Sequence, residues 1–196
     1  NKTRELGKAT VEDRTFFAFV PLTPCPSDFW CLVMLTQVAR PLLVDRCAVL
    51  HFDSKNIPFK RREQFTTVYM VEQNGQLESL ILPIRGYGLW STLHGFLAVK
   101  PDLNTVVGLG FYQHAETPGL GGEVDNPKWR GIWPGKTLFD ESGKPIINIV
   151  KGGVDPSSPE AGHQVDALAG ATLTSNGVDR LLKFWLGEQG FGPYLN

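Results

Sequence analysis

Neither sign of charge is in excess in this sequence, where 19 Lys+Arg stand against 20 Asp+Glu for a formal net charge of −1. That balance leaves no electrostatic footprint for nucleic acid or an anionic membrane surface, since both call for a basic face. Cysteine is scarce too. Cys25, Cys31 and Cys47 lie in the first quarter without a Cys-x-x-Cys pair, so zinc and thioredoxin-type signatures are missing. One disulfide among them is allowed and nothing in their spacing demands it. His51, His94, His114 and His163 form no His-Glu-x-x-His pair, so no metal site is expected. The longest apolar stretch, from Phe29 to Leu35 and through Thr36 and Gln37 to Ala39, is bounded by Asp28 and Arg40. It falls short of the ~20 residues a spanning helix needs. The chain as it stands is therefore expected to be soluble. It begins with Asn1 and shows no basic–apolar–small signal pattern, which fits a processed or trimmed amino terminus, and any anchor that preceded it is out of view.

The common nucleotide and hydrolase strings are missing as well. Gly86-Tyr87-Gly88-Leu89-Trp90-Ser91 breaks the dinucleotide fingerprint at its last glycine, and no P-loop or Gly-x-Ser-x-Gly string occurs. Abundant instead are glycine and proline, 21 and 14 in 196 residues, which call for many turns and few long helices. With 42% hydrophobic residues the chain has the makings of a real core, in one large domain or one domain with an appendage.

Composition shifts near Asn56-Ile57-Pro58, just before the basic Lys60-Arg61-Arg62. This divides an amino-terminal region, residues 1–60, from a domain over 61–196. The apolar segment from about residue 11 to 51 keeps neither a strand nor a helix period, and its structure is left open. Beyond residue 64 the pattern sharpens. Phe65 to Val71 and Leu77 to Ile84 read as strands joined by a tight Asn74-Gly75 turn. Thr105 to Tyr112 reads as another strand, and a second hairpin is expected from Thr137-Leu138-Phe139 and Pro145 to Val150 across Glu141-Ser142-Gly143-Lys144. Val178, Leu181, Leu182, Trp185 and Leu186 recur at helical spacing, with Thr174 or Ser175 as N-cap and Gly187 as stop. The expected class is α+β, an antiparallel sheet with helices packed on one face.

The string Asp166-Ala167-Leu168-Ala169-Gly170-Ala171-Thr172-Leu173-Thr174-Ser175 places small residues and hydroxyls at the start of that helix. A helix start offers unpaired N–H groups and a positive dipole end, so a phosphate near Thr172 could be held there without a lysine. The plainer reading is a cap and a turn, and the string alone does not choose between them.

With its continuation and with three other strings, the pattern resembles the covalent FMN-binding domain family, whose attachment motif is roughly Asp-x-x-(Ser/Thr)-Gly-Ala-Thr. The other strings are Ile81-Leu82-Pro83 leading to Gly88-Leu89-Trp90, Glu116-Thr117-Pro118-Gly119-Leu120-Gly121-Gly122-Glu123, and Ile149-Val150-Lys151-Gly152-Gly153. The likeness spans about residues 64–195 and is nearest to the C subunits of Na+-translocating NADH:quinone oxidoreductases. Ala169 departs from the motif, standing where the family usually carries a hydroxyl. The segment from Val11 to His51 does not resemble the family's amino-terminal region, and no function is carried onto it.

The resemblance implies FMN joined through its phosphate to Thr172 by a separate Mg2+-dependent flavin transferase that uses FAD as donor. Asp166 then belongs to the transferase's recognition signal. Gly88, Leu89, Trp90, Glu116, Thr117, Pro118, Gly119, Lys151, Leu168, Gly170, Ala171, Leu173 and Thr174 become the expected cofactor contacts. Within that set Leu89, Trp90, Thr117, Pro118 and Leu168 would be walls for the ring, and Lys151 a cation near the phosphate. Trp90 as an ordinary core aromatic, Glu116 as a carboxylate bracing its own loop and Lys151 as a solvated lysine remain open alternatives. The implied function is a one-electron relay, without independent turnover, from an iron–sulfur centre to the covalent FMN of the B subunit. The implied partners are the B, D and E subunits, on the periplasmic face of a bacterial inner membrane, with an amino-terminal helical anchor preceding this chain. The G subunit of the ferredoxin-oxidising Rnf complex and a cofactor-free periplasmic binding module are the competing readings.

Overall fold

The Asn74-Gly75 step turns the chain as its chemistry dictates, with both residues in the left-handed region at φ 53° and 78°. It joins strand β2 (Phe65–Gln73) to β3 (Gln76–Tyr87) in an antiparallel pair. The computed structural model describes residues 40–45 and 65–196. Within them β1 (Arg40–Asp45), β2, β3, β4 (Thr92–Val99) and β5 (Val106–Gln113) form a five-stranded antiparallel sheet in chain order. The division near residues 56–60 and the three cysteines lie outside the described residues. β1 comes from the segment whose structure the sequence left open, and it pairs along β2.

β4 is a strand that the sequence pattern concealed. Its inward residues are Leu93, Gly95, Leu97 and Val99, and the glycine breaks the apolar alternation. A side chain at residue 95 would run into the Gly110 carbonyl of β5, so the sheet needs a glycine there. Leu80, Leu82 and Ile84 of β3 face the same way and pack with Leu97 and Leu109 beneath the long helix α2 (Thr172–Leu186). Leu82, Leu97 and Leu181 are fully buried, and each such burial contributes about 1.5–3 kcal/mol. On the opposite face of the sheet, the ring of Phe96 stacks on Tyr112 at 5.3 Å and meets the edge of Tyr69 at 6.2 Å. The architecture is the expected α+β sheet with helices on one side.

Helix α2 buries Val178, Leu181, Leu182, Trp185 and Leu186, as their spacing requires, and Gly187 ends it. Trp185 donates its indole N–H to the Arg85 carbonyl at 2.8 Å and stacks on Phe191, which leads into the short α3 (Gly192–Leu195). The start of α2 corrects the sequence reading. Its N-cap is Ala171, not Thr174 or Ser175, and both hydroxyls lie inside the first turn with other partners.

The second hairpin is also corrected. Phe139 bridges Pro145, and the Asp140 carboxylate accepts N–H bonds from Ser142 and Lys144 to close the loop. The ladder stops there. Asp140 N–H bonds the Lys144 carbonyl and Ile146 N–H the Leu138 carbonyl, but the Leu138 N–H that the next rung needs goes to the Asn104 side chain. Asn148–Val150 (β6) instead pairs in parallel with Gln164–Asp166 (β7). Between β5 and β6 lie a 3-10 turn, Gly121–Asp125, and the single-turn α1 (Pro127–Arg130), which brings Trp129 edge-on to Trp133.

Candidate functional site

Three segments converge at the start of α2. The first is the turn between β3 and β4, closed by Gly88 N–H to the Ser91 carbonyl at 2.8 Å. The second is the loop after β5, where Pro118 and Gly119 occupy a turn closed by Leu120 N–H to the Thr117 carbonyl, with Gly119 at φ 77°. The third is the turn from Leu168 to Ala171, with Gly170 at φ 71°.

The Glu116 carboxylate fastens the first of these to the first turn of α2. Only 5% exposed, it accepts from the N–H groups of Leu89, Trp90 and Ser91, with 2.9 Å to Trp90, and from the Ser91 hydroxyl. Its other oxygen accepts from the Thr174 hydroxyl at 2.8 Å. Burial by itself would raise its pKa. The Thr174 hydroxyl and the N–H groups of Trp90, Leu89 and Ser91 outweigh that and hold the carboxyl below the ordinary glutamate value. Glu116 is thus a fixed anion whose partners are all neutral donors. Sequence reading cast it as a cofactor contact or a brace of its own loop. Its oxygens instead brace a different loop and the helix.

Ser175 completes the helix start from the other side. Its hydroxyl oxygen accepts from Leu168 N–H at 3.0 Å and its proton goes to the Ala171 carbonyl, so it closes the 168–171 turn. Thr172 is left exposed at the first helical position, and no side chain caps that end. The leading N–H groups of a helix have no intrahelical partner, which makes this end receptive to an anion.

Exposed apolar side chains lie on the converging segments and at the helix start: Leu89 at 37%, Trp90 at 67%, Leu120 at 45% and Leu173 at 57%. Trp90 is therefore not a core aromatic. Thr117, Pro118 and Gly119 are exposed on their turn, and Gly170 and Ala171 are placed beside Thr172 as expected. Leu168 differs. At 6% exposure it packs into the core, so it is not a wall presented to a ligand. Lys151 is exposed at the end of β6, and the following turn is tied down by Val154 N–H to the Asp166 carboxylate. Sequence reasoning missed Leu120, Ser91 and Gly121. Leu120 borders Gly170, and a Cβ at Gly121 would lie 2.5 Å from the Thr174 hydroxyl. The Gly121-Gly122 pair within the quoted string was the available signal.

A profile of the FMN-binding domain family matches residues 88–187, the interval that contains all three segments. The chain belongs to the FMN-binding domain family. This FMN-binding domain is 69% identical over 136 residues to the C subunit of the Na(+)-translocating NADH-quinone reductase of Pseudomonas aeruginosa, covering 69% of this chain and 52% of that protein. The C subunit of the same reductase from Yersinia pestis is 53% identical over 137 residues, covering 69% and 50%. The chain thus spans about half the length of the curated relatives it matches. The crystal structure of Shewanella oneidensis NqrC superposes with a TM-score of 0.72 at 38% identity, covering 86% of this chain and 87% of that one. The corresponding C subunit from Parabacteroides distasonis gives 0.61 at 28% identity, covering 80% and 77%.

The site suits the family's cofactor: an accessible hydroxyl, an uncapped helix end for a phosphate and bare apolar surfaces for a flat ring. Among the described residues no three metal-ligating side chains cluster, and no helix is long and apolar enough to cross a membrane.

Proposed function

We propose that this domain carries FMN esterified through its phosphate to the Thr172 hydroxyl and acts as the electron-transfer domain of the C subunit of a Na+-translocating NADH:quinone reductase. The observation that carries this is the contrast between two threonines on one helical turn. Thr172 is exposed, whereas Thr174 is 1% exposed with its hydroxyl committed to Glu116. A flavin transferase using FAD as donor reaches the first and not the second. An alcohol is a poor nucleophile, so the activating base belongs to that enzyme, and this domain supplies only the accessible oxygen.

The resulting phosphodiester carries one negative charge, which the start of α2 stabilises by about 0.3–1 kcal/mol. Leu89, Trp90, Leu120 and Leu173 offer apolar contact, the Pro118–Gly119 turn offers backbone groups, and Lys151 offers a cation. When bound, FMN supplies the one-electron chemistry, and the protein orients it and sets its surroundings. In the assembled enzyme the donor is an iron–sulfur centre between membrane subunits and the acceptor is the FMN of the B subunit. The B, D and E subunits are the neighbours, at the periplasmic face.

The test is co-expression with a flavin transferase followed by intact-mass and peptide mapping. An FMN-sized adduct is expected on the peptide containing Thr172, abolished by Thr172→Ala and retained by Thr174→Ala. An adduct on Thr174, or colour that leaves with the denaturant, overturns the assignment.

A further inference from the structure

We propose that Glu116 is the positioning residue of the flavin site: it locks the Leu89–Trp90 turn to the first turn of α2, and its unneutralised charge makes the nearby flavin harder to reduce. This rests on the reading that FMN is held at Thr172. The geometry is that of a built socket. Both carboxylate oxygens are used, by three backbone N–H groups and the hydroxyls of Ser91 and Thr174. Two glycines make room for it, since a Cβ at Gly88 would lie 2.6 Å from the carboxylate and one at Gly121 would lie 2.8 Å from it. The donors come from 25 to 27 residues before Glu116 and 58 after it, so one side chain ties two distant segments.

Two consequences follow for a group seated beside Thr172. Leu89 and Trp90, the exposed apolar side chains of the clasped turn, hold their place only while the turn is fixed. The anion is also solvated by dipoles alone: no lysine or arginine pairs with it among the described residues. A negative charge in such surroundings is weakly screened and opposes the arrival of electrons nearby. Glutamine at this position cannot reproduce the socket, because it accepts through one oxygen and presents an NH2 group to N–H donors.

The test uses the full chain, flavinylated by co-expression, as wild type and Glu116→Gln, with mass mapping first. Absence of the adduct in wild type refutes the Thr172 reading and is thereby told apart from failure of this one. With the adduct in place, a redox titration should show the Glu116→Gln flavin with a reduced-to-oxidised ratio of at least 3:1 at a potential where the wild type is half-reduced. Amide exchange at Leu89, Trp90 and Ser91 should accelerate at least tenfold. Exchange is also read on unflavinylated protein, where no flavin contributes. An unchanged reduced fraction or unchanged exchange overturns the proposal. Should Glu116→Gln not fold, Thr174→Val removes only the donor on α2. Exchange at residues 89–91 should then rise at least threefold, and no rise overturns the proposal.

Discussion

Gly177 tests whether the helix and the site turn are in direct backbone contact. In an exposed helix interior, Gly→Ala stabilises by up to about 1 kcal/mol because alanine loses less backbone entropy. Gly177 is buried in α2, and a Cβ there would meet the Tyr87 carbonyl oxygen at 2.6 Å and Gly88 Cα at 2.9 Å. Restoring an ordinary 3.4 Å contact requires the helix to retreat by about 0.8 Å. Backbone atoms cannot rotate aside as a side chain would, so the overpacking cost belongs near the upper end of the usual 1–3 kcal/mol, roughly 3. Subtracting the propensity gain leaves Gly177→Ala destabilised by about 2 kcal/mol, or roughly 6–10 °C in Tm for a domain of this size.

The assay is urea unfolding beside Asn176→Ala, an exposed neighbour on the same helix, which should move stability by a few tenths of a kcal/mol in the favourable direction. Because the clash lies at Tyr87 and Gly88, Gly177→Ala should also speed amide exchange in residues 88–91 relative to the Asn176 variant. A Gly177→Ala protein as stable as wild type would refute the claim that α2 rests on this backbone.

Two tryptophans with nearly equal burial make a second comparison. Trp185 donates its indole N–H to the Arg85 carbonyl, whereas Trp133, fully buried, has no hydrogen-bond partner for Nε1 among the described residues. Trp→Phe removes the same volume at each, so by urea denaturation Trp185→Phe should cost at least about 1 kcal/mol more than Trp133→Phe, and equal costs would show the bond to be idle. Glu116 also gives a pH dependence. Its folded pKa lies below an unfolded value of about 4.3, so its contribution is full above that value and is lost as pH falls through the folded pKa. The stability gap between wild type and Glu116→Gln should be flat from about pH 5 to 8 and close only in more acid solution. A gap that closes on going from pH 5 to 8 contradicts the sign of the shift.

The legible parts of the fold were those set by local chemistry. Asn74-Gly75 needs no tertiary partner to be a hairpin turn, and the Val178-to-Leu186 spacing needs only a core to face. Illegible were elements shaped by contacts across the chain. β4 was hidden because Gly95 looks like a break until Gly110 is placed against it. The second hairpin is cut short at one bridge because Asn104, more than thirty residues earlier, takes the Leu138 N–H that the next rung requires. Leu168 reads as an exposed wall beside Gly170 but turns inward, since Ser175 binds its N–H and pulls the turn onto the core.

The helix start shows why a motif can be readable while its logic is not. Thr172, Thr174 and Ser175 are three hydroxyls in four positions, and local rules favoured the later two as caps. Tertiary structure gives each a separate fate: Thr174 to the Glu116 carboxylate, Ser175 to the turn before the helix, and Thr172 to the exterior. With both cap-type hydroxyls withdrawn, the helix end is left uncapped beside an exposed alcohol. On the proposed attachment at Thr172, selection among the three would follow from where protein donors and acceptors are already spent, and a transferase would need only to recognise what the fold has left available.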